Sequence, residues 1–314
     1  MNKIRLVTHS GRFHADDIFA TAVLAVLFEK QGQEFELVRS RKTEDIESGD
    51  IVYDNGQEYD SNRKIFDHHQ EGGAGERENG VPYAAFGLIW KHYGQELVAE
   101  FFKKDIERGE ISSDDQQKIW QLIDESVVQP IDASDTGYED FQSDKENLRT
   151  YMMDSAVRAF NPTNEEGYEK SMELFMEFVE IAKKIINREL ISAKSKIQAL
   201  KEVKEIYENT KDKRVIVLSE GGSWKEFLIN KPEPLYVIFP TVDSDGWMVQ
   251  GVNTHPTGYE LRKPFPKNWC GKTEKELEKE VGMEGLKFCH LKGFLCVTET
   301  REQAIELANI AVNK

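Results

Sequence analysis

Cysteine is scarce in this sequence, and the few residues present have the wrong spacing for a structural site. Cys270, Cys289 and Cys296 are odd in number and form no CxxC pair. Structural zinc sites use closely paired cysteines, and disulfide frameworks use even numbers of them. The cysteines therefore indicate reduced thiols, either packed in a core or exposed, and neither a zinc site nor a set of disulfides.

Long apolar runs are also missing. The longest run, residues 18–28, is interrupted by Thr21 and is followed by Glu29, which makes it too short to cross a bilayer. The first residues lack the basic-then-apolar pattern of a secretory signal. We therefore predict a cytoplasmic protein that makes no membrane contact.

Positive charge is in deficit. The chain carries 41 Lys and Arg against 57 Asp and Glu, which gives a formal net charge of −16. This sign argues against a protein that coats nucleic acid by neutralising its phosphates. It does not exclude a metalloenzyme that acts on nucleic acid, because bound ions supply local positive charge. An acidic pocket that captures cations would itself contribute to the excess of negative charge.

The length and the pattern of elements predict an α/β protein with two domains. A chain of 314 residues exceeds what one hydrophobic core usually organises. The first half alternates a helix over residues 16–31 with short apolar strands, at residues 4–8, 35–39, 51–53 and 64–66. Such alternation predicts a parallel sheet, and ligands of such sheets bind beyond the carboxyl ends of the strands.

The rest of the chain divides into a helical stretch and a second α/β region. Residues 83–207 are mostly helical in pattern, and one helix there is predicted to begin at Ser112 or Ser113 as its cap. Beyond residue 213 the pattern predicts strands and a closing helix, at residues 215–218, 236–239, 248–252 and 301–312. We predict an N-terminal parallel-sheet domain, a helical connector and a smaller α/β domain, over residues 1–190, 191–212 and 213–314.

Metal-binding side chains gather directly after predicted strands. Three segments carry them, and these contain His9, His14, Asp16, Asp17, Asp54, Asp67, His68 and His69. A fourth segment, with Asp132 and Asp135, follows a helix predicted to end near Gln129. Taken alone, a His after a strand is usually a surface residue, and an Asp there usually caps a turn or helix. Four of the seven histidines lie in two of these segments, and this joint occurrence favours a metal site.

These residue types suit a pair of divalent ions that promotes hydrolysis of a phosphate ester. Two ions about 3.5–4 Å apart activate a water and compensate charge on the phosphoryl group. A carboxylate has two oxygens, so Asp54 is the candidate to bridge both ions. Mixed imidazole and carboxylate ligands suit Mn²⁺, Fe²⁺ or Zn²⁺, whereas carboxylates alone favour Mg²⁺. His69 is a catalytic candidate that would orient phosphate or protonate the leaving oxygen.

The motifs resemble those of the DHH phosphoesterase superfamily. The likeness rests on Asp67-His68-His69, on the upstream cluster of His and Asp, and on the lone Asp54 after the intervening strand. Within the superfamily the chain is most similar to the melanocyte proliferating gene (MYG) branch, through His9-x4-His14-x-Asp16, Phe66-Asp67-His68-His69-Gln70 and Phe265-Pro266-x2-Trp269. The likeness covers nearly the whole chain.

The resemblance implies a DHH-type N-terminal domain with a defined set of metal ligands. These are His9, His14, Asp16, Asp54 and His68, together with one Asp of the fourth segment. Asp135 fits the family's fourth motif better, and Asp132 is the alternative. The resemblance further implies two divalent ions, with Mn²⁺ favoured and Mg²⁺, Fe²⁺ or Zn²⁺ as alternatives.

The resemblance also implies a C-terminal domain that closes over the substrate. Arg262, Lys263 and His290 are the matching candidates for phosphate contacts, and the planar guanidinium of arginine suits paired phosphate oxygens. Trp269 is a candidate to stack on a base, although aromatic residues more often pack a core.

We therefore predict a divalent-metal-dependent phosphoesterase. The MYG resemblance suggests a 3′-to-5′ exonuclease that acts on single-stranded RNA or short oligonucleotides. The first alternative is a small-molecule phosphatase that cleaves pyrophosphate or a dinucleotide with the same ions. The second alternative is a non-enzymatic module that keeps its metal site for stability or for partner binding.

Overall fold

A computed structural model describes residues 3–138, 148, 150–255 and 258–314. The chain separates into two compact units, Met1–Lys194 and Ser195–Lys314. Each unit contains its own sheet, and each is described by itself below. No helix within the described ranges is long and apolar enough to span a membrane.

The first unit is built on a five-stranded sheet. Its strands are β1 (Ile4–Thr8), β2 (Phe35–Arg39), β3 (Ile51–Tyr53), β4 (Tyr59–Asp60) and β5 (Ile65–Phe66). They lie in the order β2-β1-β3-β5-β4. The pairs β1–β2, β1–β3 and β3–β5 are parallel, and β4 is antiparallel to β5. The predicted parallel sheet is confirmed, and the two-residue strand β4 adds an antiparallel edge.

Within its described residues the first unit contains seven α-helices and the beginning of an eighth. They are α1 (Ala15–Gln31), α2 (Thr43–Glu47), α3 (Ala85–Phe101), α4 (Lys103–Glu107), α5 (Ser113–Ile123), α6 (Gln129–Asp135), α7 (Met153–Phe160) and α8 (Ser171–Asn209). Every residue of α1 from Ala15 to Phe28 is buried, which explains its apolar character on all sides. Gly32 ends α1 in the left-handed conformation, with φ of 68°, as is common at helix C-termini.

The fourth sequence segment lies within a helix, and the predicted helix end near Gln129 is wrong. After α5 the backbone continues through a π-helical turn, Asp124–Val128, directly into α6. Pro130 is the second residue of α6. Because proline has no backbone N–H, it cannot donate the intrahelical hydrogen bond that this position would otherwise make to the preceding π-helical turn. The helix nevertheless continues, and Asp132 and Asp135 lie three residues apart on α6.

The second unit contains a five-stranded, mostly antiparallel sheet. Its elements are β6 (Val215–Val217), α9 (Trp224–Leu228), β7 (Tyr236–Pro240), β8 (Trp247–Gly251), α10 (Glu274–Val281), β9 (Leu286–Cys289), β10 (Leu295–Thr298) and α11 (Arg301–Asn313). The strand order is β6-β7-β8-β10-β9, and only β6 and β7 are parallel. The boundary between the two units falls within α8, after Lys194.

Candidate metal centre

Three neighbouring strands deliver acidic and imidazole side chains to one edge of the first sheet. His9 follows β1, Asp54 follows β3, and the Asp67-His68-His69 segment follows β5. These strands are adjacent and parallel in the order β1-β3-β5. Their carboxyl ends therefore lie at the same edge, which is where the sequence analysis expects a ligand to bind.

His9 contacts two carboxylates through one ring nitrogen. Its Nε2 lies 3.0 Å from Asp54 Oδ2 and 3.2 Å from Asp17 Oδ2, and all three side chains are buried. The other nitrogen, Nδ1, lies 3.1 Å from the carbonyl oxygen of Ser10 and from Arg41 Nη2. Burial disfavours the charged ring, but the hydrogen bonds to Asp17 and Asp54 outweigh it and raise the pKa of His9 to about 10.

Asp54 occupies a strained backbone position at the centre of the cluster. Its φ is 49°, in the left-handed region that Asp tolerates better than most residues but still at a cost. Burial acts to raise the pKa of Asp54, but the hydrogen bond and charge of His9 lower it below its usual range. Its Oδ1 is buried without a hydrogen-bond partner in the described residues and lies 3.4 Å from His69 Nδ1.

Asp67 organises the histidine pair. Its Oδ1 accepts hydrogen bonds from the backbone N–H groups of His68 and His69, at 2.7 and 3.2 Å, and from the ring of His69 at 2.8 Å. Its Oδ2 accepts from the backbone N–H of Gln57. A carboxylate can only accept, so Nδ1 of His69 carries the proton and Nε2 is left for other contacts. The ring of His69 is 59% exposed.

His68 faces the fourth segment. Its Nε2 lies 3.0 Å from Asp135 Oδ2 at the end of α6, and its Nδ1 lies 4.0 Å from Asp54 Oδ1. Burial acts against the charged ring, but the hydrogen bond to Asp135 raises the pKa of His68. The rings of His68 and His69 lie 4.2 Å apart between centroids.

The start of α1 adds His14, Asp16 and Asp17. The backbone N–H of His14 donates to Asp17 Oδ1 at 3.0 Å, which is a reciprocal capping contact. Asp16 is completely buried, and both of its carboxylate oxygens lack a hydrogen-bond partner in the described residues. Burial and the charges of Asp54 and Asp135 raise the pKa of Asp16 far above its usual range, and a backbone contact with Asp17 offsets this only in part.

The two candidates on α6 have different surroundings. Asp135 lies at the cluster, with an oxygen close to ligand atoms of His14 and Asp16. Asp132 is fully buried, accepts from the backbone N–H of Gly87 at 2.9 Å, and lies 2.9 Å from Arg77 Nη2. Burial raises the pKa of Asp132 to about 7 against the opposing charge of Arg77. The structure therefore brings Asp135 to the cluster and engages Asp132 in an ion pair.

The grouped side chains have the composition of a site for divalent ions. Within the described ranges, three sets of ligand atoms lie within 4.8 Å of one another: Asp54 with Asp67, His68 and His69; His9 with His14 and Asp54; and His14 with Asp16 and Asp135. Asp54 is common to the first two sets. A buried carboxylate without a partner is costly. The oxygens of Asp16 and Asp54 that have no hydrogen-bond partner are therefore suited to bind cations.

Two clefts adjoin the cluster within the first unit. One has a volume of about 480 Å³ and is lined by His14, His69 and Asp135, among others. The other has a volume of about 550 Å³ and is lined by His68, His69 and a glycine-rich loop at residues 72–75. His69 is common to both, so its exposed ring faces the space that a ligand would occupy.

The residues predicted in the second unit are engaged in local contacts. Arg262 donates to the backbone carbonyls of Ile229, Lys231 and Pro234, and Lys263 donates to the carbonyl of Val312. The side chains of Arg262 and Lys263, both predicted to contact phosphate, therefore form hydrogen bonds to backbone carbonyls of the second unit.

The two aromatic candidates of the second unit also pack locally. Trp269 is completely buried beside Phe265, as expected for the alternative in which it packs a core. The ring of His290 packs against Phe294 at 4.3 Å, and its Nδ1 accepts from the backbone N–H of Lys292.

Two members of the cluster were not among the predicted ligands. Asp17 faces His9, and Asp67 orients His69. A sequence signal existed for both, because Asp17 is one of two adjacent aspartates at a helix start and Asp67 begins the Asp67-His68-His69 motif. Both adjacent aspartates at the start of α1 reach the cluster, Asp16 near His14 and Asp135, and Asp17 against His9.

Comparisons with known proteins agree with the resemblance to the MYG branch. A sequence model named MYG1_exonuc, described as Uncharacterised protein family (UPF0160), matches residues 5–312. A MYG1 protein of Saccharomyces cerevisiae is 29% identical over 333 residues, which cover 98% of this chain and 95% of the relative. A Homo sapiens relative named MYG1 exonuclease is 27% identical over 326 residues, which cover 97% and 84%. A MYG1 protein of Dictyostelium discoideum is 27% identical over 339 residues, which cover 100% and 98%.

Proposed function

Because this chain belongs to the MYG1 exonuclease family, we propose that it is a divalent-metal-dependent phosphoesterase of the DHH type. Its proposed substrate is single-stranded RNA or a short oligonucleotide, shortened from the 3′ end. Relatives named MYG1 exonuclease, which are 27% and 28% identical to this chain, support a nuclease-type hydrolase. The observation that carries the metal dependence is the convergence of ligand groups on Asp54 beside the orphaned carboxylate of Asp16.

The proposed ligands form overlapping groups around Asp54. His9, His14 and Asp54 would hold one ion, and His14 also lies close to Asp16 and Asp135. His68 lies beside both Asp54 and Asp135 and completes the proposed set. The mixture of imidazole and carboxylate donors favours Mn²⁺, with Mg²⁺, Fe²⁺ and Zn²⁺ as alternatives. When bound, such ions supply positive charge against the phosphoryl oxygens and lower the pKa of a coordinated water. Asp132 is left out of the proposed set because it is paired with Arg77.

His69 is the proposed acid and phosphate-orienting residue. Its Nδ1–H donates to Asp67, so the ring is held in one orientation with Nε2 directed away from that carboxylate. In the protonated ring, Nε2–H can donate to a phosphoryl oxygen or to the leaving oxygen. Asp67 acts as a positioning residue for this ring. The ring lines both clefts, which supports a role in contact with substrate.

A second candidate function is hydrolysis of pyrophosphate or a dinucleotide. The clefts of about 480 and 550 Å³ fall within the usual size range of small-molecule sites, and this observation favours a small substrate. Substrate contacts by Arg262, Lys263, Trp269 and His290 stay a prediction, and neither proposal depends on them.

Activity assays separate these functions. Metal-stripped protein would be incubated with 5′-labelled RNA, pyrophosphate or a dinucleotide, with Mn²⁺, Mg²⁺ or Zn²⁺ added separately. The proposal predicts metal-dependent stepwise shortening of the RNA, which disappears in Asp54→Ala and His68→Ala. Asp114→Ala and His255→Ala are matched controls, because both side chains are exposed and lie outside the cluster.

Each result has a distinct meaning. Immediate release of a labelled mononucleotide would reverse the proposed polarity. Phosphate release from pyrophosphate alone would favour the small-molecule phosphatase. Stoichiometric metal binding with no turnover of any substrate would refute the enzymatic proposal and leave a non-enzymatic module.

A further inference from the structure

Two exposed arginines line the cleft beside the candidate metal ligands. Arg12 and Arg158 border the same cleft of about 480 Å³ as His14, His69 and Asp135. Neither guanidinium forms a hydrogen bond or ion pair with another residue in the ranges that the structure covers. The cleft also carries the carboxylates of Asp135 and Asp154, and the two guanidinium groups are available to bind an anionic ligand there.

The backbone that carries Arg12 is held in place on both sides. Asn161 accepts a hydrogen bond from the N–H of Phe13 and donates to its carbonyl, both at 2.9 Å. The ring of Phe13 is buried against Phe175. On the other side, the N–H of Gly11 donates to the hydroxyl of Tyr168. The loop is therefore ordered before any ligand binds, which lowers the entropic cost of binding through Arg12.

The same contacts join the two arginines. Asn161 is the residue that ends α7, and Arg158 lies three residues earlier on that helix. The paired bonds between Asn161 and the backbone of Phe13 thus connect the loop of Arg12 directly to the helix of Arg158. This connection holds together the two backbone segments that carry the arginines, so both residues border one cleft although they are far apart in sequence.

We infer that Arg12 and Arg158 bind a backbone phosphate of a single-stranded oligonucleotide, next to the phosphate at the metal cluster. This inference rests on the proposed function. A guanidinium binds phosphate oxygens through parallel N–H groups. Bound ions would compensate only the phosphate that they contact. The protein carries a net charge of −16, so a neighbouring phosphate of the oligonucleotide needs its own positive partner on the protein. The pair thereby selects chains over esters that carry a single phosphate.

A binding measurement tests the inference without requiring turnover. The probe is a fluorescein-labelled, phosphorothioate-linked single-stranded RNA, titrated with protein in Mn²⁺ and followed by anisotropy. Arg12→Ala and Arg158→Ala should each weaken binding about tenfold. Each should also reduce the dependence of log K on log salt concentration by about 0.7. Arg188→Ala is the matched control, because Arg188 is an exposed arginine that does not line the cleft.

Kinetics then separate the role in binding from a merely structural one. For RNA, both alanine variants should raise KM more than they lower kcat, and the lysine variants should recover part of the loss. The loss in kcat/KM should be at least about tenfold greater for RNA than for bis(p-nitrophenyl) phosphate, which has no neighbouring phosphate.

The outcomes distinguish this inference from the proposed function. Absence of oligonucleotide binding by the native protein, or equal binding by Arg12→Ala, Arg158→Ala and Arg188→Ala, would overturn the inference. Arginine-dependent binding without any hydrolysis would support the inference and refute the proposed function. Hydrolysis with an unchanged KM in the alanine variants would support the proposed function and refute the inference.

Discussion

Removing the charge of Asp16 should stabilise the metal-free protein while it weakens metal binding. Asp16 is fully buried, neither of its oxygens has a hydrogen-bond partner in the described residues, and its pKa is raised by burial and by Asp54 and Asp135. Asp16→Asn keeps the size of the side chain and removes its ionisation. The predicted effect on stability is therefore opposite in sign to the predicted effect on metal binding.

The magnitude follows from the cost of holding a carboxyl protonated. An aspartate in an unfolded chain has a pKa of about 3.9, so holding a carboxyl protonated in the folded protein at pH 7 costs at most roughly 4 kcal/mol. The buried amide of Asn also lacks partners, and this costs about 1–3 kcal/mol. We expect Asp16→Asn to raise the free energy of unfolding of the metal-free first unit by about 1–3 kcal/mol. For a unit of this size, each kcal/mol corresponds to about 2–4 °C in Tm.

The pH dependence of this gain has a definite sign. The folded-state pKa of Asp16 is raised, so the carboxyl penalises folding above the unfolded-state pKa. The advantage of Asp16→Asn should therefore be present at pH 7, decrease as the pH falls, and change sign before the pH reaches about 4, where only the cost of the buried amide remains.

Thermal and urea unfolding with and without Mn²⁺ measure both effects. Ions at about 100 times Kd stabilise a native protein by about 2.7 kcal/mol, and the variant should lose most of this increment. Asp114→Asn is the control, because Asp114 also lies in the first turn of a helix but is 71% exposed. A metal-free Asp16→Asn protein that is less stable than the native one, with its Mn²⁺ response intact, would refute the reasoning.

Other predictions concern the ion pair on α6 and the protons of the cluster. Arg77→Ala leaves the buried Asp132 without its cation, so urea unfolding should show a loss of about 3–5 kcal/mol; a loss below 1 kcal/mol would contradict this reading of the ion pair. Asp135→Ala should abolish RNA cleavage with little effect on unfolding, and the reverse pattern would favour Asp132 as the ligand. Because the pKa values of His9 and Asp16 are raised, metal binding should release protons, and affinity should fall as pH falls. Calorimetry in buffers of different ionisation enthalpy detects this release, and no difference between buffers would count against it.

The sequence predicts the first sheet well because its strands are short apolar runs with clear ends. Residues 4–8, 35–39 and 51–53 are strands with those same bounds. The two-residue β4 carries too few positions for a pattern to be recognised. Length does not explain why β9 and β10 were missed, because both are longer than the correctly predicted β3.

The candidate site is predictable where ligands follow strands and less so where they lie on helices. His9, Asp54 and His68 come together because parallel strands end at one edge. The choice between Asp135 and Asp132 depends on the π-helical turn before α6, which changes the helix phase. Tertiary partners also decide roles, since Trp269 is taken up by the core of the second unit.

The central proposal is that Asp54 would be a ligand of each of two divalent ions. Metal-stripped protein would be titrated with Mn²⁺ by calorimetry, with the bound metal counted after gel filtration. The account predicts two ions per chain in the native protein and in Asp114→Asn, and the loss of both in Asp54→Asn. A single ion in the native protein, or full occupancy in Asp54→Asn, would contradict it.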